Sequence, residues 1–187
     1  MRRDHALETL KLHVKDDIVV AVYQACFDWL EICPRDLNYV STGAMGQAVS
    51  HGMGLALARP NRRVLVFDGD GSILMNLGAL VSVAEAGCKN LYHFIFSNGE
   101  YEVNGRHPVP GKGVVDFAAI ALATGYAHAS RFKTLNTFKD SIGAILATPG
   151  PAMIVLDVTP GETFRRNYEY IHSAEAREKF RSAIRKR

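Results

Sequence analysis

The stretch from residue 64 to residue 105 constrains the fold more than any other part of the chain. It reads VLVFDGDGSILMNLGALVSVAEAGCKNLYHFIFSNGEYEVNG. An apolar strand runs into DGDGS (68–72), an amphipathic helix follows, and a second apolar strand ends at SNG (97–99). Two strands joined by a helix run parallel, so their carboxyl ends share one edge of a sheet. The two polar segments are therefore expected to meet at that edge.

Short apolar, β-branched runs alternate with helical patterns along the rest of the chain. The predicted strands cover residues 18–22, 38–40, 63–67, 91–97, 126–129 and 152–158. The predicted helices cover residues 5–14, 45–58, 73–86, 116–124, 137–147 and 173–184. This alternation predicts a doubly wound α/β fold, with a mainly parallel sheet and helices on both faces. In such folds, ligands bind beyond the carboxyl ends of the strands.

Length and composition favour a single domain spanning residues 1–187. Of the 187 residues, 48% are hydrophobic, and no apolar run approaches the ~20 residues that cross a membrane. The amphipathic N-terminus is unlike a signal peptide, so a cytoplasmic protein is expected. The net charge of +3 is modest, and residues 173–187 are expected to form a solvated, charged helix capped by Ser173. No aromatic platform accompanies this charge, which argues against nucleic-acid binding.

The cysteines give no sign of a disulfide framework or a metal site. Cys26, Cys33 and Cys88 are odd in number and include no CxxC pair. Such spacing favours reduced, mostly buried thiols over disulfide bonds or metal ligands.

Asp70 and Asn98 are the candidate metal-binding residues at the shared sheet edge. A carboxylate, an amide oxygen, a backbone carbonyl, diphosphate oxygens and a water can complete the octahedral shell of Mg²⁺. The neighbouring glycines let the backbone approach a phosphate, and the N–H groups of the following helix would face it. Asp-Gly and Asn-Gly pairs also form ordinary turns, so that interpretation stays open. An EF-hand is excluded because Ala79 stands where its final Glu is required, and no GxxxxGK[ST] motif occurs.

A third segment, STGAMG (41–46), follows the predicted strand 38–40 and precedes a helix. Its small residues permit close approach to a flat ligand, although Met45 by itself is more typical of a core position. A Rossmann dinucleotide site is excluded. The GxGxxG-like stretch at 52–57 lies inside a predicted helix and lacks the final glycine.

Together, these segments resemble the diphosphate-binding domain of the thiamine-diphosphate-dependent phosphonopyruvate and sulfopyruvate decarboxylases. DGDGS followed by SN is similar to the GDG–x–NN motif of that family, with Ser97 in place of the first Asn. STGAMGQAVSHGMGLALARP and SNGEYEVNGRHP extend the resemblance over residues 5–160. The length is similar to that of a separate sulfopyruvate decarboxylase β subunit. The resemblance implies the thiamine-diphosphate-binding fold and the cofactors thiamine diphosphate and Mg²⁺.

The resemblance also implies a metal site. Asp70 and Asn98 would ligate Mg²⁺ through their side chains, and Glu100 through its backbone carbonyl. The residues expected to contact the cofactor are Gly43, Ala44, Met45, Gly69, Asp70, Gly71, Ser72, Asn98, Glu100 and Tyr101.

Within that set, the resemblance divides the cofactor between two segments. Gly71 and Ser72 would hold the diphosphate, Gly43 would contact the aminopyrimidine through its backbone, and Met45 would support the bent cofactor.

One part of the family's machinery has no match in this chain. In single-chain members a glutamate from a preceding pyrimidine-binding domain activates the aminopyrimidine. Glu85 and Glu102 lie on the wrong module to replace it. The resemblance therefore implies a β subunit that is inactive alone and forms a hetero-oligomer, such as α2β2, with an α subunit supplying the activating Glu.

Departures from the family pattern leave the substrate open. GRHPV (105–109) stands where related decarboxylases carry GGQPT. Arg106 and His107 are candidates for an anion clamp and a catalytic proton donor, or for a solvent-facing loop pair. His51 is more typical of a packed position than of a catalytic one. The expected reaction is decarboxylation of a small 2-oxo acid with an anionic tail; a carboligating, acetolactate-synthase-like subunit and a non-catalytic assembly or regulatory protein are the alternatives.

Overall fold

The structure is a computed structural model that describes residues 1–40, 43–162 and 164–185. The first two residues of the STGAMG segment and the last two of the predicted C-terminal helix therefore lie outside the described residues.

Strands and helices alternate through most of the described chain. The strands are β1 (Ile18–Ala21), β2 (Asn38–Tyr39), β3 (Val64–Gly69), β4 (Leu91–Ser97), β5 (Glu100–Tyr101), β6 (His107–Pro108), β7 (His128–Phe132) and β8 (Ala152–Asp157). The helices are α1 (Arg3–Lys11), α2 (Tyr23–Ile32), α3 (Ala48–Ala58), α4 (Asp70–Ile73), α5 (Ala79–Ala86), α6 (Phe117–Thr124), α7 (Leu135–Ala147), α8 (Tyr168–His172) and α9 (Ala174–Arg185). Short 3₁₀ helices cover Leu74–Asn76 and Glu102–Asn104.

Six of the strands form one parallel sheet in the order β2-β1-β3-β4-β8-β7, and β5 pairs with β6 in a small antiparallel hairpin. The chain moves outward from β1 to β2 and then returns to place β3 on the other side of β1. This reversal makes the space beyond the carboxyl ends of β1 and β3 a switch point, where open α/β sheets bind their ligands. The doubly wound fold expected from the sequence is confirmed.

Alternate residues of each central strand enter two separate cores. On β3, Leu65 and Phe67 face the core that contains α1, α2 and α7, whereas Val64 and Val66 face the core that contains α3, α5 and α6. Because both faces are covered, the central strands are mainly apolar rather than alternating between polar and apolar residues, with Asp68 and His93 as buried polar exceptions. The two cores therefore fix the register that aligns the strand ends.

Gly52 shows why the GxGxxG-like stretch carries glycine. The stretch lies within α3, and a Cβ built at Gly52 would come within 2.3 Å of Val66 Cγ2 on β3. The missing side chain therefore lets α3 pack closely on the sheet. Its glycine is accounted for by packing, in agreement with the exclusion of a dinucleotide site.

Helix α2 is not predicted by the sequence analysis, yet it forms one wall of the switch point. It begins immediately after β1, and seven of its ten residues are buried. Its polar residues Gln24, Asp28 and Glu31 recur at helical spacing, but Gln24 and Asp28 are buried, so this polar face does not mark a solvent-exposed side. Strand β7 begins two residues later than predicted and extends to Phe132.

The cysteines and the C-terminal helix agree with what the sequence predicts. The cysteines are free thiols: Cys26 and Cys88 are buried and Cys33 is half-buried, as the sequence predicts. Burial raises the pKa of the Cys26 thiol to about 12, so it is not a reactive thiolate at neutral pH. The C-terminal helix begins after Ser173, whose hydroxyl accepts a hydrogen bond from Ala176 N. No helix among the described residues is long and apolar enough to cross a bilayer.

Candidate metal and phosphate site

A cleft opens at the switch point between β1 and β3. Its lining includes the residue after β1, Val22; the β3–α4 junction, 68–72; Met45; and part of the segment that follows β4, 98–103. Most of the residues singled out from sequence thus line a single cleft. They converge because the β3–β4 register pairs Gly69 with Phe96 and ends both strands at the same level.

Asp70 lies at the centre of this convergence. Its Oδ2 accepts hydrogen bonds from Gly99 N at 2.7 Å and from Ser97 Oγ at 3.1 Å, and its Oδ1 accepts from Gly71 N at 2.9 Å. Burial raises the pKa of Asp70, although these hydrogen bonds oppose the shift. A carboxylate in this position is fixed in orientation and would gain from a neighbouring cation.

Asn98 forms two side-chain hydrogen bonds, one as an acceptor and one as a donor. Its Oδ1 accepts from Glu100 N at 2.9 Å, and its Nδ2 donates to Glu102 Oε2 at 3.0 Å. The two contacts distinguish the amide oxygen from the amide nitrogen. Because an amide oxygen has two lone pairs, the bond from Glu100 N leaves one available to a metal ion.

Gly71 and Ser72 begin α4 beneath the β5–β6 hairpin. A Cβ at Gly71 would lie 2.5 Å from Tyr101 Cε1, so the tyrosine ring packs directly over this glycine. The Ser72 hydroxyl accepts a hydrogen bond from Gly46 N at 2.9 Å, and Asn76 Nδ2 donates to Gly46 O at 3.0 Å. These contacts attach the segment before α3 to the segment after β3.

The second half of the STGAMG segment borders open space. Gly43 has φ +77°, in the left-handed region that favours glycine, and no atom lies within 4 Å of a Cβ built there. Ala44 is exposed, and Met45 is half-buried and lines the cleft. Gly69 likewise has nothing within 4 Å of a built Cβ. The two glycines leave room beside the cleft for a bound group.

Arg106 and His107 lie on the exposed side of the hairpin. Arg106 adopts φ +61°, and its Nε donates to Glu100 Oε2 at 2.9 Å. His107 pairs with Tyr101 in the hairpin ladder, is exposed, and is not part of the cleft lining. His51 is half-buried with its ring against Tyr39, in agreement with a packed position.

Sequence reasoning missed three polar residues of the cleft wall: Arg3, Gln24 and Glu102. Arg3 Nη1 and Nη2 donate to both carboxylate oxygens of Glu102, at 2.6 and 3.0 Å. Arg3 and Gln24 lie on helices that carry no local motif, and Glu102 is named above only as a glutamate on the wrong module to activate the cofactor. Its position four residues after Asn98 is the sequence signal that points to a role in the cleft.

The oxygen donors of the cleft suit a hard cation whose coordination shell is completed by a bound ligand. The side chains of Asp70 and Asn98 and nearby backbone carbonyls offer oxygen donors, which Mg²⁺ prefers. In the described part of the chain, no group of three or more His, Cys, Asp or Glu side chains could hold a metal. Mg²⁺ is commonly bound through one or two carboxylates plus phosphate oxygens, so the residues present fit a metal–diphosphate pair.

A doubly wound sheet with such a cleft at its switch point defines the class of α/β proteins that bind a ligand beyond the carboxyl ends of their strands. Within that class the family is identified by sequence. Residues 21–156 match the model of the thiamine pyrophosphate enzymes, C-terminal TPP binding domain, and the chain belongs to this family.

Known relatives agree with this assignment. The chain is 35% identical over 150 residues to phosphonopyruvate decarboxylase of Streptomyces viridochromogenes, a match that covers 80% of this chain and 37% of that protein. It is 39% identical over 162 residues to sulfopyruvate decarboxylase subunit beta of Methanothermobacter thermautotrophicus, covering 86% of this chain and 84% of that one. The chain thus spans little more than a third of the Streptomyces relative but most of the Methanothermobacter subunit.

The fold also matches a solved enzyme structure from Mycobacterium smegmatis. The TM-score is 0.67 at 21% sequence identity, and the match covers 86% of this chain and 32% of that one. At this level of identity the likeness supports the fold alone.

Proposed function

We propose that this chain is the β subunit of a thiamine-diphosphate- and Mg²⁺-dependent decarboxylase that acts on a short 2-oxo acid with an anionic tail. The observation that carries the proposal is the contact between Asp70 and the backbone of Gly99, beside Asn98. This contact joins the two halves of a metal-binding motif at the switch point. The names of the relatives support the reaction class.

In this proposal the metal is held by three residues from two strand ends. Asp70 and Asn98 contribute side-chain oxygens, and Glu100 contributes its backbone carbonyl. Diphosphate oxygens and a water fill the remaining positions. The cation stabilises the charged form of Asp70, whose pKa is raised by burial when no cation is present.

The remaining cofactor contacts come from glycine-rich backbone. Gly71 and Ser72 hold the diphosphate at the start of α4, and Gly69 leaves room for it. Gly43 and Ala44 face the aminopyrimidine, and Met45 supports the bend between the rings; Tyr101 covers the diphosphate end from the hairpin. Bound thiamine diphosphate supplies a nucleophilic carbon and an electron sink for decarboxylation, while the protein supplies orientation and charge neutralisation.

The proposed enzyme needs a second polypeptide. The cofactor's aminopyrimidine is activated by a glutamate from a pyrimidine-binding α subunit, and the two subunits form an α2β2 complex with the cofactor between them. The match to 84% of a relative named subunit beta supports this arrangement. We propose that residues 1–187 form one domain of that complex; its cytoplasmic location stays a prediction.

The substrate's anionic tail requires positive charge near the mouth of the cleft. Arg106 is the candidate, with His107 as proton donor. Both lie on the exposed hairpin, and Arg106 is paired with Glu100. The proposal therefore requires this exposed ion pair to open when substrate binds; exposed ion pairs contribute little to stability, so this cost is small.

Cofactor binding is tested on the full chain with Asp70→Ala. Mg²⁺ and thiamine diphosphate together should raise the unfolding temperature of the wild-type chain, and Asp70→Ala should abolish that rise because it removes a metal ligand. The fold should be retained, as judged by circular dichroism. Asp140→Ala, an exposed aspartate on α7, is the control and should respond as the wild type does. An unchanged response in Asp70→Ala would remove Asp70 from the metal site.

The reaction is tested by adding a chain that carries the pyrimidine-binding domain. The mixture should convert 2-oxo acids with sulfonate, phosphonate or carboxylate tails to carbon dioxide and free aldehyde, measured by chromatography. Turnover by the chain alone would contradict the need for a partner. An acetohydroxy acid product would instead indicate a carboligating enzyme.

A further inference from the structure

A buried ionic network lies behind Asn98 and has no role in the function proposed above. Arg3, on the first turn of α1, is 3% exposed, and its guanidinium lies between Asp28 and Glu102. Nε donates to Asp28 Oδ2 at 2.6 Å, and Nη1 and Nη2 donate to the two oxygens of Glu102. Gln24 Nε2 donates to Asp28 Oδ1 at 2.7 Å. Both carboxylates are therefore fixed by more than one hydrogen bond.

The network ends on the amide of Asn98. Glu102 Oε2 accepts from Asn98 Nδ2 at 3.0 Å, and Glu100 N donates to Asn98 Oδ1. A carboxylate can only accept hydrogen bonds, so Glu102 selects the amide nitrogen as its neighbour. The amide oxygen is thereby kept on the side of the Glu100 backbone, where it is available to a metal ion.

Arg3 keeps the Glu102 carboxylate in place for its hydrogen bond with the Asn98 amide. Glu102 lines the same cleft as Asp70 and Asn98, and a carboxylate is a stronger ligand for Mg²⁺ than an amide oxygen. Arg3 occupies both carboxylate oxygens in a bidentate pair, which is the strongest and most directional form of this interaction. Burial opposes the charge of Arg3, but the hydrogen bond with Glu102 and the charge of Asp28 raise its pKa above the ordinary value. The guanidinium therefore stays charged.

Stability alone does not account for this arrangement. A buried ion pair can often be replaced by apolar residues without loss of stability, because desolvation of the charges offsets their attraction. The network instead places Glu102, which is paired with Arg3, against a residue proposed to ligate a metal. Partners behind a metal ligand commonly fix its orientation.

We propose that Arg3 and Glu102 are positioning residues that orient the Asn98 amide so that its oxygen, not its nitrogen, faces the metal. The inference rests on the proposed function. It assigns this task to the start of α1, which lies outside residues 21–156 of the family match.

The test uses Glu102→Leu in the full chain. Glu102 Oε2 accepts from both Arg3 Nη1 and Asn98 Nδ2, and leucine removes this acceptor, so the Asn98 amide is free to flip. The Mg²⁺ concentration that half-saturates the thermal shift, measured with excess thiamine diphosphate, should rise about 10- to 100-fold, as for other residues behind a metal ligand.

Arg63→Gln is the matched control. It breaks the bidentate pair with Asp17 at the amino end of β3, about 20 Å along the strand from Asp70. Both variants should lower the unfolding temperature without metal. Only Glu102→Leu should move the Mg²⁺ midpoint; the control should stay within about twofold of the wild type, as expected for distant sites.

A second set of variants, made in the Asn98→Asp chain, separates an effect on the orientation of the Asn98 amide from a general structural effect. In Asn98→Asp both side-chain oxygens are equivalent, so adding Glu102→Leu should no longer raise the Mg²⁺ midpoint. The same rise in both backgrounds, or no rise in Glu102→Leu alone, would overturn the inference while leaving the proposed function intact. A wild-type chain with no Mg²⁺-dependent shift, even with the pyrimidine-domain chain added, would overturn the proposed function, and this inference with it.

Discussion

Gly71 and Tyr101 show how a single missing side chain shapes the site. The tyrosine ring occupies the space where a Cβ on residue 71 would stand, 2.5 Å from Cε1, and Val109 Cγ1 is 3.0 Å away. Non-bonded carbons pack at about 3.5–4.0 Å, so any side chain at this position must displace the hairpin. Gly71, which the sequence motif assigns to phosphate binding, is therefore also required by the packing of Tyr101.

Gly71→Ala should lower the free energy of unfolding by about 1–3 kcal/mol, the usual cost of overpacking a filled site. Urea titration followed by circular dichroism measures this. Gly78→Ala is the matched control, since Gly78 has φ −59° and no atom lies within 4 Å of a built Cβ. It should be neutral or stabilise by about 0.4–1 kcal/mol, because alanine restricts the unfolded chain. Equal effects of the two substitutions would contradict the packing argument.

At the scale of elements, the helices differ in whether a side chain accepts hydrogen bonds from the free N–H groups of their first turns. The side chain of Asp116 caps α6 by accepting from Ala118 N at 3.0 Å and Ala119 N at 3.2 Å, whereas α3 and α5 begin without a side-chain cap. Helix α6 is apolar and follows the loop after the β5–β6 hairpin. Its cap therefore fixes where the chain leaves the hairpin and joins the sheet.

Asp116→Ala should destabilise the protein by about 0.5–2 kcal/mol, because two N–H groups of α6 lose their acceptor. Asp116→Asn retains an N-capping oxygen and should stay close to the wild type. Thermal unfolding of the three proteins gives the comparison. If alanine and asparagine behave alike, the cap does not stabilise α6.

At the scale of the whole molecule, the start of the chain is bound to the segment after β8. Arg3 N donates to Thr159 O at 3.1 Å, Thr159 N donates to Met1 O at 2.9 Å, and Glu162 N donates to Asp4 Oδ2 at 3.1 Å. Burial by itself would raise the pKa of Asp4, but hydrogen bonds from Arg2, Glu162 N and His5 N lower it to about 2. This junction holds Arg3 at the cleft wall.

The depressed pKa gives the junction a definite pH dependence. Asp4 is charged more readily in the folded chain than in the unfolded one, so its contribution is complete above pH 3.8 and is lost as the pH falls toward 2. Asp4→Asn should lose on the order of 1–2 kcal/mol at neutral pH and show a shallower loss of stability below pH 3.8. Urea unfolding between neutral pH and pH 2 measures both; parallel curves for the two proteins would contradict this role.

The sequence by itself determined the central part of the fold. Strand β4 (Leu91–Ser97) has the predicted bounds, because a buried parallel strand is a short apolar run with polar residues at its end. The same logic brings Asp70 near Asn98, since a helical connection joins two neighbouring parallel strands. The roles of these residues stay predictions, but their proximity follows from local pattern alone.

Tertiary structure alone decided the rest of the cleft. Helix α2 brings Gln24 to the cleft wall, a placement that depends on how the helix packs after β1. Arg3 meets Glu102 across 99 positions of the chain, and Gly71 meets Tyr101 only because the hairpin folds back over α4. Periodicity records which face of an element is buried, but it does not record which distant element covers that face. The motif could therefore be found in the sequence, whereas the side chains that orient it required the folded chain.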